Sequence, residues 1–368
     1  MKNGNHRDGT GIDRKLHNPI EDRLIPLESL DLSSVRTVND LVQAMGKTAF
    51  TGRQVGEAAD VLEAMARDTE CFVVMTLSGA MTVAKQSLII ADLIDRGIVN
   101  AIVSTGALMA HGLVEATGRS HFRYNPDVSD TELYEQGYNR VYDTLEPEQN
   151  LDDVEEVMSH VLESWDHSEV LCSYKLNHAI GEYLAKHAKG QRGILKSAFE
   201  NGVPVFVPAF TDSELGLDVA LNNRLRESTG RHKLRFDPFE DLEHFAATLL
   251  RQTRLGIFTI GGGVPRNWAQ QFGPFCELRH RRLGENVPLK RYHYGVRICP
   301  EPVHWGGLSG SPYSEAISWG KFVPPAEGGK FGELFVDATV GLPLVVAAVL
   351  ERLGKAKTTG KRKAVARK

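Results

Sequence analysis

The sequence predicts an α/β protein built on a doubly wound parallel sheet, preceded by an N-terminal helical extension. Three observations carry this prediction. First, short apolar runs alternate with stretches of helical period: CFVVMTL (71–77) precedes VAKQSLIIADLIDRG, and VNAIVST (99–105) precedes a second helical stretch. VPVFVPAF then leads into TDSELG, and RLGIFTI into GGGVPRNWAQQ. Unbroken apolar runs of this length suit strands covered on both faces, as parallel strands are. Second, each run ends in small or turn-forming residues, as tight strand-to-helix turns require. Third, VNDLVQAMGKTAF and QVGEAADVLEAMARD, both with apolar residues at helical spacing, precede the first strand.

In order along the chain, residues 1–30 hold Gly, Asn and Pro without apolar period and are expected to form an extended or mobile arm. Residues 31–353 are read as one domain, with 127–190 as helical cover and HFRYNPD (121–127) as a packed turn. The run from Ala338 to Leu350 falls short of the ~20 apolar residues that span a bilayer, and so predicts a buried helix. Residues 354–368 carry seven Lys/Arg and no acid, and are expected to be a disordered, solvated tail.

Composition narrows the function classes. The chain has 368 residues, 42% hydrophobic and 24% charged, within the range of soluble globular proteins. Its four cysteines form no C-x-x-C pair and the N-terminus lacks an apolar signal region, so reduced thiols, a cytoplasmic location and no membrane partner are expected. The net charge is −4 although the tail is basic, which leaves an acidic body suited to cations such as polyamines; no nucleic-acid partner is expected. The 13 histidines include no H-E-x-x-H or Cys/His cluster, so no metal is expected.

The chemistry gathers at strand ends. Gly261-Gly262-Gly263 follows an apolar run and opens a helix, where backbone can approach a phosphate closely. Ser78-Gly79-Ala80 and Thr105-Gly106-Ala107 repeat the pattern, and three such turns at one sheet edge favour a nucleotide. Asp212 and Asp337, also at strand ends, suit ribose hydroxyls or helix caps. In SEAISWGKF (314–322), the indole of Trp319 can desolvate Lys321, lower its amine pKa and make it an imine-forming nucleophile, with Glu315 available to a substrate ammonium.

SEAISWGKF resembles the E-A-x-S-W-G-K segment that carries the imine-forming lysine of deoxyhypusine synthases. The resemblance runs from about residue 71 to about residue 350, through SGA, STGA, PVFVPAFTD, IGGGV and VDA in the family's order. It implies a Rossmann-like domain and a homotetramer with active sites at subunit interfaces. It also implies a reaction in which NAD oxidises spermidine, the lysine takes the aminobutyl group as an imine, and an acceptor amine receives it. By motif position Lys321 is the catalytic lysine, while Glu315 and Trp319 contact the substrate. NAD contacts fall on Gly79, Ala80, Thr105, Gly106, Ala107, Asp212, Gly262, Asp337 and Ala338.

The substrate positions of four motifs depart from that pattern. Ala110 and His111 stand where the family has two glutamates, Asn267 where it has a histidine, Leu217 (with Asp218 next) where it has a carboxylate, and Leu308 where it has an aspartate. His111, Asn267 and Asp218 are therefore the altered substrate-binding candidates. Each lost charge-assisted contact is worth about 1.5–3 kcal/mol, enough to weaken the hold on a long triamine. The expected function is thus NAD-dependent aminoalkyl transfer from a polyamine to a small amine, of the homospermidine type. Deoxyhypusine synthesis on a protein lysine and a non-catalytic NAD-binding homologue are the alternatives.

Overall fold

The computed structural model describes residues 17–354. The basic tail beyond Gly354 and the first sixteen residues of the arm lie outside the described residues. The arm from 17 to 30 is exposed. The elements then follow as α1 (Val38–Gly46), α2 (Phe50–Arg67), β1 (Cys71–Leu77), α3 (Ser87–Asp95), β2 (Ala101–Ser104) and α4 (Gly106–Ala116). Next come β3 (Phe122–Arg123), α5 (Asp130–Glu135), β4 (Tyr138–Val141), β5 (Thr144–Pro147), α6 (Glu148–Glu163), α7 (Ser173–His187) and α8 (Ile194–Asn201). β6 (Val205–Phe206), α9 (Glu214–Ser228), α10 (Pro238–Leu250), β7 (Arg254–Ile260), α11 (Gly263–Gln270) and α12 (Phe272–Leu283) continue the chain. β8 (Tyr292–Ile298), α13 (Tyr313–Ser318), β9 (Lys330–Leu334) and α14 (Ala338–Leu353) complete it.

Six strands form one parallel sheet in the order β6-β2-β1-β7-β8-β9. Successive residues face opposite sides, so each strand feeds two cores. Val73, Met75, Ile102, Phe258 and Ile260 pack on one face with α2, α4 and α14; Val74, Val103, Phe206 and Ile257 pack on the other with α10, α11 and α12. This is the expected Rossmann-like, doubly wound architecture, and α1 and α2 are the expected N-terminal helices. α1 starts on a capping box in which Thr37 accepts from Asp40 N–H and the Asp40 carboxylate accepts in return. From β1 the chain builds outward through β2 to β6, then returns to add β7, β8 and β9 on the other side. The order therefore reverses between β1 and β7, and a crevice at their carboxyl ends is where such sheets bind ligands.

One expectation needs correction. Residues 122–147, partly read as helical cover, contain a small antiparallel sheet of order β3-β5-β4 around the short α5. Strands of two to four residues are too short to show a period-2 pattern, and β4 is largely exposed. The 338–350 run is the largely buried α14, as expected. No helix among the described residues is long and apolar enough to cross a membrane. All four cysteines are buried.

Candidate active site

The three glycine turns sit side by side. Ser78-Gly79-Ala80, Thr105-Gly106-Ala107 and Gly261–Gly263 follow the carboxyl ends of β1, β2 and β7, which are adjacent in the order β2-β1-β7. Asp212 follows β6 and Asp337 follows β9 at the same edge. Several of these residues have a structural duty as well. A Cβ on Gly106 would strike the Ser213 hydroxyl at 2.3 Å, so α4 and α9 pack closely there. A Cβ on Gly262 would lie 2.4 Å from Ser309 Cα. Gly262 N–H donates to Ser78 Oγ at 2.7 Å and Gly263 N–H to Ser309 Oγ at 3.0 Å, which occupies the first donors of α11. Asp337 caps α14, its Oδ1 accepting from Thr339 N–H at 2.8 Å, and Ala338 is the buried first residue of that helix.

The amino end of α4 differs, because Thr105 gives it no side-chain cap. Its first N–H groups, with the open positive-φ Gly79 beside them, form the part of the edge best suited to a dinucleotide phosphate. The residue types at this edge fit NAD: small residues where backbone must come close, and carboxylates at the outer strands.

Lys321 lies elsewhere. Its backbone runs beside Tyr292, the first residue of β8: Tyr292 N–H donates to Lys321 O at 3.0 Å, and Phe322 pairs with Tyr292. The lysine is therefore anchored at the amino end of β8, away from the carboxyl edge that carries the glycine turns. α11 runs back across the sheet from its glycine turn, and this brings Asn267 Oδ1 to 3.1 Å from Lys321 Nζ. Only 8% of Lys321 is exposed, and its ammonium stands 5.8 Å from the centre of the Trp319 ring. Burial pushes the amine below the usual lysine range, and the charge of Arg266 adds to the effect while Glu315 opposes it. Trp319 and Glu315 are exposed.

Arg266 went unnoticed in the sequence, although it adjoins Asn267. It is buried, donating to Leu308 O at 3.0 Å and Ser311 O at 2.7 Å, and its guanidinium lies over the Tyr313 ring. Arg297, which pairs with Glu333 at 2.8 Å, donates to Ser309 O at 2.6 Å. Two buried cations thus pin the loop that carries Leu308 and Ser309 against the glycine turn.

The remaining altered positions form a second group. His111 on α4 faces the carboxylates of Glu146 and Glu214, and Asp218 lies one helical turn beyond Glu214 on α9. Burial, reinforced by Glu155 and Glu214, pushes the Asp218 carboxyl up to about 6. α4 and α9 pack with the first core and the Lys321 neighbours Tyr313, Phe322 and Ala269 with the second, so one chain carries the two groups on opposite faces of the sheet.

The family model for deoxyhypusine synthase matches residues 40–349. The chain is 32% identical over 328 residues to the protein called probable deoxyhypusine synthase 2 of Methanosarcina acetivorans, covering 89% of this chain and 90% of that one. It is 33% identical over 318 residues to probable deoxyhypusine synthase 1 of Archaeoglobus fulgidus, covering 86% and 95%. Similarity extends to the deoxyhypusine synthase-like protein of Chlorobaculum tepidum, 31% identical over 325 residues, covering 87% and 88%. A solved Entamoeba histolytica structure assigned to deoxyhypusine synthase shares the fold, with a TM-score of 0.57 at 15% identity over 88% of this chain and 96% of that one. A family match over most of the chain, relatives at this identity and the shared fold together establish that the chain belongs to the deoxyhypusine synthase family.

Proposed function

We propose that this protein is an NAD-dependent aminoalkyl transferase that draws on a polyamine, carries the transferred group as an imine on Lys321 and delivers it to a small amine, as in homospermidine synthesis. The observation that supports this most is the Lys321 amine: buried, lowered in pKa, yet given a neutral partner in Asn267 rather than a carboxylate. With a neutral partner and a lowered pKa, the amine is readily deprotonated for attack.

When bound, NAD would take a hydride from the donor carbon beside nitrogen and return it at the end. Gly79, Ala80, Thr105, Gly106, Ala107, Gly262, Asp212, Asp337 and Ala338 are the residues that would hold it. The neutral Lys321 amine adds to the oxidised donor and expels the leaving amine, which departs with the proton it needs. The acceptor amine then displaces Lys321 in the same way. Trp319 offers its face to an ammonium group and shields the nitrogen from water. Glu315, Asp218 and Glu214 are carboxylates for the other ammonium groups.

Because one chain splits these residues between two sheet faces, we take the complete site to form between copies, in the homotetramer the family likeness implies. Leu217, Leu221 and Leu225 support this: at 59, 62 and 54% exposed they make an apolar stripe along α9, beside Asp218. Trp319, whose ring centre lies 5.8 Å from Lys321 Nζ, is exposed as well.

The names of the archaeal relatives favour a second reading, in which the acceptor is a protein lysine. The altered substrate positions of four motifs favour the small amine. Mass spectrometry of the products from purified protein, NAD and a panel of di- and triamines, with and without a lysine-bearing protein acceptor, separates the two. A new polyamine supports our reading, and an aminoalkylated protein lysine supports the other.

A further inference from the structure

Glu146, on β5, belongs to none of the sequence motifs. Its side chain is 2% exposed and touches two imidazoles, His111 Nδ1 at 2.5 Å and His121 Nε2 at 3.3 Å. The angles fall short of ideal hydrogen bonds, and the short His111 contact is first of all one between charges. Lys85 Nζ stands 2.9 Å from His121 Nδ1 and 3.0 Å from Glu115 Oε1, and Ser87 Oγ donates to Glu115 Oε2 at 2.8 Å.

This arrangement fixes the protons. An ammonium only donates, so His121 Nδ1 accepts, and the one proton of that ring sits on Nε2, toward Glu146. His121 is thereby neutral. A carboxylate this deeply buried requires a cation, and of the groups that touch it only His111 is left to supply one. The same arrangement already satisfies the carboxylate without a metal ion. Donor atoms of His111, His121 and Glu146 lie within 4.8 Å of one another, but a metal ion there would have to displace both the Nε2 proton of His121 and the charge on His111.

We propose that Glu146, locked in place by His121 and Lys85, is a positioning residue that holds His111 as an imidazolium beside Glu214 and so limits how many ammonium groups the α9 carboxylates accept. This rests on the transferase reading for its meaning, but not for its test. The titratable groups facing His111 are Glu146 from β5, Glu214 from α9 and His121 from the segment after α4. Burial opposes charging of His111, but the two carboxylates outweigh it and raise the imidazole above its ordinary range. Glu146, despite its burial, is held down to about 2 by the two histidines. Lys85 adopts a left-handed backbone, φ 62°, just beyond the Ser78-Gly79-Ala80 turn. That strain is sustained by the two partners of its ammonium, which ties the Glu146 cluster to the expected cofactor turn.

The test is proton NMR titration of the histidines, with His111 assigned by its loss in His111→Gln, in wild-type protein, Glu146→Gln and Lys85→Met. We expect His111 to titrate at lower pH in Glu146→Gln. Lys85→Met should move it the same way, because His121 then competes for the carboxylate. In parallel, calorimetry with spermidine and putrescine should show the preference for the triamine rising roughly tenfold in Glu146→Gln, as one positive charge leaves the pocket. An unchanged His111 titration in a folded Glu146→Gln or, should that variant not fold, in Lys85→Met overturns the proposal. So does one tightly held zinc ion per chain that His121→Gln abolishes. Inactivity of the wild-type enzyme would count against the transferase reading while leaving the titration valid.

Discussion

Lys321 Nζ donates to Asn267 Oδ1 across 3.1 Å, joining a loop at the amino end of β8 to the second turn of a helix that starts at the carboxyl end of β7. The bond stabilises the ammonium form against the burial and the Arg266 charge that disfavour it. Asn267→Leu should therefore lower the Lys321 pKa further and Asn267→Asp should raise it. Peptide mass spectrometry after reductive methylation across a pH series reads both shifts. The Leu variant should also lose about 1–3 kcal/mol of stability, because the buried ammonium is left unpaired.

Asp218 predicts a stability change of defined sign. Its carboxyl is raised from 3.8 to about 6, so the folded state resists its ionisation. The group therefore costs stability wherever it is ionised in both states, above pH 6, and nothing once it is protonated in both, below about 3.8. Asp218→Asn should raise Tm at pH 7, and the gain should vanish below pH 4. A bound polyamine should erase the gain at pH 7 by supplying the missing cation. Thermal melts at three pH values, with and without spermidine, check it.

The leucine stripe of α9 predicts what happens when copies are separated. Leu221→Glu places a charge in the middle of the stripe, where burial against another copy would cost several kcal/mol. Sedimentation should then show a smaller particle that still folds and binds NAD but transfers no aminoalkyl group. A variant of unchanged size and activity would remove α9 from the contact between copies.

Much of the fold was legible because β1 and β7 are long, buried on both faces and closed by glycine turns, signals that survive without neighbours. β8 was not: Tyr292, His293, Tyr294 and Arg297 break its apolar run, and each is accommodated by a partner from another part of the chain or by partial exposure. The lysine motif identified Lys321 but not its surroundings, since the pairing of Tyr292 with Phe322 and the reach of α11 are tertiary facts. Glu146 had no local signal at all. It meets His111 only because β5 pairs with β3 and β4 in a sheet too short to announce itself. The packed turn expected over 121–127 is not what forms: His121 is buried, but Phe122 and Arg123 make the exposed strand β3 and residues 125–127 are exposed.

The central claim is covalent catalysis at Lys321, and borohydride trapping tests it most directly. With NAD and an amine donor present, borohydride should fix an aminoalkyl group on the peptide containing Ser318, Trp319, Gly320, Lys321 and Phe322, as a defined mass increase on the lysine. Lys321→Arg keeps the charge but cannot form the imine, since a guanidinium stays protonated. It should bind NAD normally, show no adduct and lose transfer by several orders of magnitude. An adduct on a different residue, or near-normal transfer by Lys321→Arg, would contradict the mechanism.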